Sequence, residues 1–455
     1  MINLNPDVNI TSKAPGKIIP PINRGEVQLS QRPELMDKFV IKGGNRISGS
    51  VEIGASKNSF LPILAAALLV EKGEVLLNLT PNLMDIDSML KVMEHLGVKV
   101  KKYSKDRKLA VNSENLNNHE APYDLVRKMR ASFLVLGPLL ARLGKARVSL
   151  PGGCVLGQRP VDQHIKGFRQ LGATLEEDQG YIVAQSNGLK GNVVYFDRPT
   201  HTGTENLITG ACLGEGKTTL VNAACDPEVL DVANFLNRMG AKIEGAGTPV
   251  ISITGVKRLK ACEYTPMPDR LEAGTFMMAA AITGGYLEIK NVEAEHLGMV
   301  NLKLKEMGVE IEQNKSRIKV KGPKKLKPTN AVTYPYPGFP TDLQPMLMAM
   351  ATVAAGTSYI RETVFDSRFT HVMELVRLGA DIKVSGDEAT VTGVPKLKGA
   401  SVMASDIRAG VGLVLAGLAA EGETEVLRVY HIDRGYENLE EKLSQVGVSV
   451  CRQKT

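Results

Sequence analysis

A short phrase, an apolar residue followed by glycine and then alanine or valine, recurs six times along the chain. It stands at Leu96-Gly97-Val98, Leu171-Gly172-Ala173, Met239-Gly240-Ala241, Met307-Gly308-Val309, Leu378-Gly379-Ala380 and Val446-Gly447-Val448. The glycines are 68 to 75 residues apart, so the repeat runs through most of the 455 residues. Each phrase closes an amphipathic segment, such as DIDSMLKVMEHLG or VLDVANFLNRMG, and opens a β-rich stretch. Glycine is a natural helix stop there, because the left-handed conformation costs it no Cβ clash.

Earlier in each unit lies a second helix, rich in Ala, Leu and Met: NSFLPILAAALL, ASFLVLGPLLARLG, GTFMMAAAITGG and RAGVGLVLAGLAA are examples. A helix that is apolar all round is buried all round. Each runs into a glycine turn, at Gly73, Gly144, Gly216, Gly285, Gly356 and Gly422, and then into a strand such as EVLLNL or YLEIKNV. The unit therefore reads strand, buried helix, strand, surface helix, strand pair. A period near 70 is longer than that of ordinary solenoids, which predicts an α/β (α+β) fold of two closed domains with three units each. Lys57, Arg130, Glu205, Glu272, Asp342 and Arg408 fall at or just before the starts of the apolar helices. Parallel helices would turn these ends to one surface, where free N–H groups and aligned dipoles attract anions. Helix capping accounts for Glu272. It fails for Lys57 and Arg130, since a cation opposes the dipole at a helix start, and these two require an anion.

Composition narrows the partners. The formal charge of +7 favours anionic ones without choosing among them. Nucleic acid would want basic residues interleaved with aromatics along a groove; eleven Tyr, ten Phe and no Trp form no such stripe. No apolar run reaches transmembrane length, which argues against membrane insertion. Five cysteines without close pairs suit a reducing cytoplasm rather than a disulfide framework or a zinc site. Residues 1–35 carry prolines at 6, 15, 20, 21 and 33, lack the pattern of a secretory signal, and read as a dispensable tail or as sequence ahead of a true start at Met36.

Eight stretches then bear a resemblance: GASKNSFLPIL (54–64), APYDLVRKMRAS (121–132), PGGCVLGQRPVDQH (151–164), ANFLNRMGAKI (233–243), PDRLEAGTF (268–276), PGFPTDLQP (337–345), ETVFDSRFTHV (362–372) and HIDRGYENLEEKL (431–443). From about Met36 onward the chain resembles the enolpyruvyl transferases, and among them the branch acting on a UDP-linked amino sugar. The sister branch, 5-enolpyruvylshikimate-3-phosphate synthase, shares fold and chemistry but usually lacks a PGGC loop. The resemblance implies two similar domains, each of three βαβαββ units around buried parallel helices, an inside-out α/β barrel. One domain would be residues 57–267; the other, discontinuous, would join 36–56 to 268–455, with two linkers as a hinge. It implies phosphoenolpyruvate and UDP-N-acetylglucosamine as substrates, phosphate release from a tetrahedral intermediate, the first committed step of peptidoglycan synthesis, and no cofactor or metal. The sequence carries neither HExxH nor CxxC.

The same resemblance distributes roles. Cys154 matches the family's reactive cysteine, a general acid/base, lid residue and target of the epoxide fosfomycin. Its Pro-Gly-Gly-Cys setting, with Arg159 nearby to favour thiolate, separates it from Cys212, which reads as a buried small hydrophobe inside an apolar helix. Lys57, Arg159 and Arg434 match cations around phosphoenolpyruvate, with Asn58 beside the lysine and Arg408 a further candidate. Asp433 beside Arg434 leaves an ordinary salt bridge open. Asp342 matches the carboxylate at the sugar hydroxyl and is the candidate base, with an N-cap role as alternative. Arg130, the run Arg159, Pro160, Val161, Asp162 and Gln163, and Val364 match nucleotide-sugar contacts. Where many members read Ser-Val-Gly-Ala-Thr, this chain has Thr200-His201-Thr202-Gly203-Thr204, a departure that puts the diphosphate contacts in doubt, with solvent the common fate of a lone histidine. LGEGKTT (213–219) imitates a P-loop, but Ala211 stands where that motif needs glycine. A sister-type transferase and a silent UDP-sugar-binding paralogue remain alternatives.

Overall fold

The computed structural model describes residues 37–127, 129–150 and 161–454. Among them are six four-stranded sheets of one design. In each, a short edge strand runs parallel to its neighbour, which is followed by two antiparallel strands; Val193–Tyr195, Lys217–Val221, Val250–Thr254 and Lys242–Glu244 lie side by side in that order. In four of the sheets the parallel step is bridged by a buried helix, as such steps must be bridged by a long crossover; in five the last two strands form a hairpin, and in the sixth Asp37–Lys42 pairs with Ser449–Lys454. Strand faces alternate: in Tyr286–Lys290 Leu287 and Ile289 are fully buried while Tyr286 is exposed.

Two apolar cores result. One gathers residues from Ala55 to Leu259, the other joins Phe39–Ile53 to Leu271–Val450. Within the first, helices Lys57–Ala67, Leu136–Leu143 and His201–Ala211 pack together; within the second, Arg270–Ile282, Gln344–Ala351 and Ile407–Ala419 do. The chain passes between cores twice. Strand Ser48–Glu52 completes the sheet of Tyr286–Lys290, and Glu263–Tyr264 completes that of Val75–Leu77. The two passages lie side by side: Ser56 N donates to Met267 O at 2.8 Å and Asp269 N to Gly54 O at 2.9 Å.

The glycines that close the surface helices, at 97, 172, 240, 308, 379 and 447, all take φ between 88° and 102°, the left-handed geometry expected of a helix stop. The turn after the fourth buried helix differs from expectation. Gly284, not Gly285, takes the positive φ, at 60°, while a Cβ on Gly285 would sit 2.3 Å from the Ile47 carbonyl oxygen. The segment expected as one helix over ASFLVLGPLLARLG is a 3-10 turn, Arg130–Val135, continued by Leu136–Leu143. Glu205 lies in the second turn of His201–Ala211 rather than at its start, and Asp269, not Glu272, caps Arg270–Ile282.

Candidate active site

Lys57 opens helix Lys57–Ala67, capped by Ser56, and is only 7% exposed. The anion it requires is a protein carboxylate: Nζ lies 3.1 Å from Oδ2 of Asp85 in the first turn of Met84–His95. Arg434, at the end of the 3-10 segment Val429–Arg434 that belongs to the other core, donates through Nε to Oδ1 of the same carboxylate at 2.9 Å. The adjacent Asp433 pairs instead with Arg452, at 2.6 Å, so the salt bridge open to Arg434 from sequence forms with Asp85 rather than with its neighbour. Burial pushes the Lys57 ammonium below its ordinary pKa; Arg408 and Arg434 push the same way and Asp85 opposes them.

Asp342 and Arg408 meet beside this group. Asp342 sits in the 3-10 turn Thr341–Leu343, and Leu343, the residue before Gln344–Ala351, makes no side-chain cap. The carboxylate instead receives Arg408 Nε and a terminal nitrogen at 3.3 and 3.1 Å on Oδ2, and Arg368 at 3.5 Å on Oδ1. Arg408 itself starts helix Ile407–Ala419, which Asp406 caps, so the cation is held by a carboxylate, a cap and the Tyr436 ring 5.2 Å away. Burial alone would lower its pKa, but Tyr436, Asp342 and Asp269 outweigh it and raise it. Arg368 is 1% exposed, and its Nε and one Arg408 terminal nitrogen have no partner among the described residues. Unmet donors in a buried cation cluster are costly without an acceptor.

A second group surrounds the start of helix Asp162–Gln170. Val161 and Gln163 are buried and Asp162 is exposed. Gln163 donates to Asp162 at 2.8 Å and to Asp197 at 3.0 Å, and its oxygen accepts from Asp197 N at 2.9 Å. Arg130 starts its 3-10 turn beside His164, whose pKa burial and the Arg130 charge drive down to about 3, leaving a neutral ring. That ring meets Asn206 at 3.0 Å and Thr202 at 3.3 Å. Half-buried Val364 is fixed by Glu362, which accepts from Val364 N at 2.9 Å and from Thr341 at 3.0 Å, next to Asp342. Asn58 follows Lys57 in its helix, half-buried. Cys154, Arg159 and Pro160 lie outside the described residues.

Residues missed from sequence are Asp85, Arg368 and Asp269. Asp269 joins the two cores, since Oδ1 caps one helix at Leu271 N, 2.8 Å away, and Oδ2 accepts from Lys57 N at 3.3 Å. Its signal was Pro-Asp before an apolar run. His201 does not turn to solvent. Nε2 lies 3.1 Å from Glu205 and Nδ1 3.6 Å from Asp226, while Arg270 binds Asp226 at 3.1 Å and Glu228 at 2.9 Å. Burial would lower the His201 pKa, but the two carboxylates raise it well above the ordinary value. Stability from this pairing is therefore fully present below about pH 6.5, the ordinary histidine value, and is lost as pH rises toward the elevated folded-state value. His201→Gln should lower the melting temperature near pH 6 and progressively less at higher pH; a pH-independent difference in calorimetry would contradict this.

Among the described residues no helix is long and apolar enough to cross a membrane. The sequence profile of EPSP synthase (3-phosphoshikimate 1-carboxyvinyltransferase) matches residues 41–443. A UDP-N-acetylglucosamine 1-carboxyvinyltransferase of Desulfosudis oleivorans is 52% identical over 417 residues, 92% of this chain and 99% of that protein. A UDP-N-acetylglucosamine 1-carboxyvinyltransferase 1 of Caldanaerobacter subterraneus is 50% identical, over 91% of this chain and 99% of its own length. Among solved structures, the enolpyruvyl transferase NikO of Streptomyces tendae superposes with a TM-score of 0.83 at 25% identity, covering 92% of this chain and 99% of that one. EPSP synthase of Acinetobacter baumannii gives 0.69 at 18% identity, over 92% and 100%, and shares the fold.

Proposed function

The chain belongs to the EPSP synthase family of 1-carboxyvinyl transferases, and from that premise we propose that it transfers the enolpyruvyl group of phosphoenolpyruvate to the 3-hydroxyl of UDP-N-acetylglucosamine, releasing phosphate. The observation that carries this reading is identity of about half the residues over nearly the full length of relatives bearing that activity as their name. The product is a peptidoglycan precursor, made in the cytoplasm. Acceptor choice is tested directly: phosphate release with phosphoenolpyruvate should require UDP-N-acetylglucosamine and not respond to shikimate-3-phosphate. Release with the shikimate ester alone would favour the sister activity, and none with either would favour a silent binding protein.

The chemistry adds the sugar oxygen to C2 of phosphoenolpyruvate while C3 gains a proton. C3 then loses a proton as the bond from C2 to phosphate breaks. Lys57, Arg408 and Arg434, with Arg159, hold the substrate's phosphate and carboxylate and then the charge of the tetrahedral intermediate. Asp342 takes the hydroxyl proton and Cys154 supplies the one at C3. Arg130, Pro160, Val161, Asp162, Gln163 and Val364 seat the nucleotide sugar, and Asn58 stands beside Lys57 at the phosphoenolpyruvate. The six sheets are read as six βαβαββ copies in two inside-out barrels, residues 57–267 and 36–56 with 268–455, closing about the paired passages at 53–56 and 265–269.

Fosfomycin should inactivate the enzyme by alkylating Cys154. Three of the four competing thiols are poorly placed: burial pushes Cys212 up to about 12, and burial also raises Cys225 and Cys262. Mass spectrometry should find the added mass on the Cys154 peptide. Inactivation with label only on Cys225, Cys262 or Cys451 would overturn the assignment.

A further inference from the structure

We propose that Asp85 is a positioning residue for phosphoenolpyruvate capture, using its two carboxylate oxygens to hold Lys57 from one core and Arg434 from the other in a common register. This rests on the reading of Lys57 and Arg434 as phosphoenolpyruvate cations. The geometry is specific. Oδ2 meets Lys57 at 3.1 Å and Oδ1 meets Arg434 at 2.9 Å, with the Asp85 side chain 5% exposed. A cation at a helix start has no intrinsic support, and a lysine with four methylenes is mobile unless something fixes its end. Asp85 provides both the counter-charge and the fixed point. A second cross-tie joins residues of the same two cores' surroundings, Arg107 to Glu437 at 2.7 Å, so the Asp85 carboxylate is not the sole ion pair between these parts of the chain.

The charged groups around Lys57 define a readout that a purely structural role would not move. Asp85 comes from Met84–His95, Arg434 from Val429–Arg434, Arg408 from Ile407–Ala419, and the Asp269 carboxylate reaches the Lys57 backbone N–H. Helix Pro227–Arg238 packs on the same helix but turns Asp231 to Ser59. The turn Arg130–Val135 packs there as well, and the Arg130 charge acts on His164. Of the Asp85, Arg408 and Arg434 charges that act on Lys57, only that of Asp85 favours the ammonium; burial and both arginines oppose it. Removing the Asp85 charge must therefore make Lys57 lose its proton at lower pH.

In full-length protein, Asp85→Asn should raise the KM for phosphoenolpyruvate by about tenfold or more, the scale of one charge-assisted contact, with the KM for UDP-N-acetylglucosamine within twofold. The high-pH fall of kcat/KM for phosphoenolpyruvate should move to lower pH, and that displacement should vanish in Lys57→Arg/Asp85→Asn, because a guanidinium does not titrate there. If both KM values rise together and the pH profile stays in place, Asp85 is a structural ion pair and the inference is wrong. Lys57→Ala run in parallel separates the two levels. Should it leave the phosphoenolpyruvate KM unchanged, the underlying site reading fails; should it raise that KM while Asp85→Asn does not, only the positioning role fails.

Discussion

Lys57→Ala should lower kcat/KM for phosphoenolpyruvate by roughly 10²–10³-fold, the usual loss for one preorganised group aimed at developing charge. The loss should divide between a higher KM and a lower kcat, because an ammonium on the phosphate is used in the ground state and again in the intermediate. Stability should change little. Burial and the charges of Arg408 and Arg434 already work against the ammonium, and Asp85 keeps Arg434 as a partner at 2.9 Å when the lysine is gone. An intact melting temperature beside a large kinetic defect is therefore the expected signature, read by calorimetry and initial rates with both substrates varied. A kcat/KM within threefold of wild type would remove Lys57 from the site.

The helix stops and buried helices are readable because their two punctuation marks are local. A glycine at left-handed φ stops each surface helix, and a helix apolar on every side has nowhere to go but a core. Where neighbouring glycines differ only in tertiary surroundings, sequence cannot order them. Gly284 makes the turn and Gly285 admits the Ile47 carbonyl, yet the pair reads alike. The 3-10 turn of Arg130–Val135 is hidden for a related reason, since composition favours helix throughout that stretch and tertiary packing decides its winding.

The site divides along the same line. Lys57 and Arg130 stood out because a cation at a helix start contradicts the local dipole, a conflict between local preference and position that tertiary partners must resolve. Asp85 was invisible because an acid in a first helical turn is what the dipole favours, so nothing announced a partner 349 residues away. Arg368 opens only the short 3-10 turn Arg368–His371, which no sequence pattern announces; its burial by Asp342 is wholly tertiary. His201 misled in the opposite direction, as a lone histidine whose two carboxylates come from its own helix and from the residue before the next.

Asp342→Asn should slow the chemical step by roughly 10²–10⁴-fold, the contribution of a positioned general base, with UDP-N-acetylglucosamine affinity nearly unchanged. Shape alone would predict unaltered stability, because the amide is almost isosteric. The ion pairs predict otherwise. Arg408 and Arg368 are 4% and 1% exposed and lean on this carboxylate, so neutralising it leaves two buried guanidiniums short of counter-charge. Breaking a fully buried pair costs about 3–5 kcal/mol; the Asp342 side chain is 26% exposed, so the cost should be less, a fall of a few degrees in melting temperature. The longer 3.5 Å contact to Arg368 is the one a substrate hydroxyl would displace, whereas the paired contacts from Arg408 would hold the carboxylate in place during proton transfer. Single-turnover rates separate these effects from binding, and measuring them well below the variant's melting temperature removes unfolding from the comparison. If Asp342→Asn turns over within threefold of wild type while its melting temperature falls, the carboxylate serves as an anchor for Arg368 and Arg408, and the proton leaves the sugar by another route.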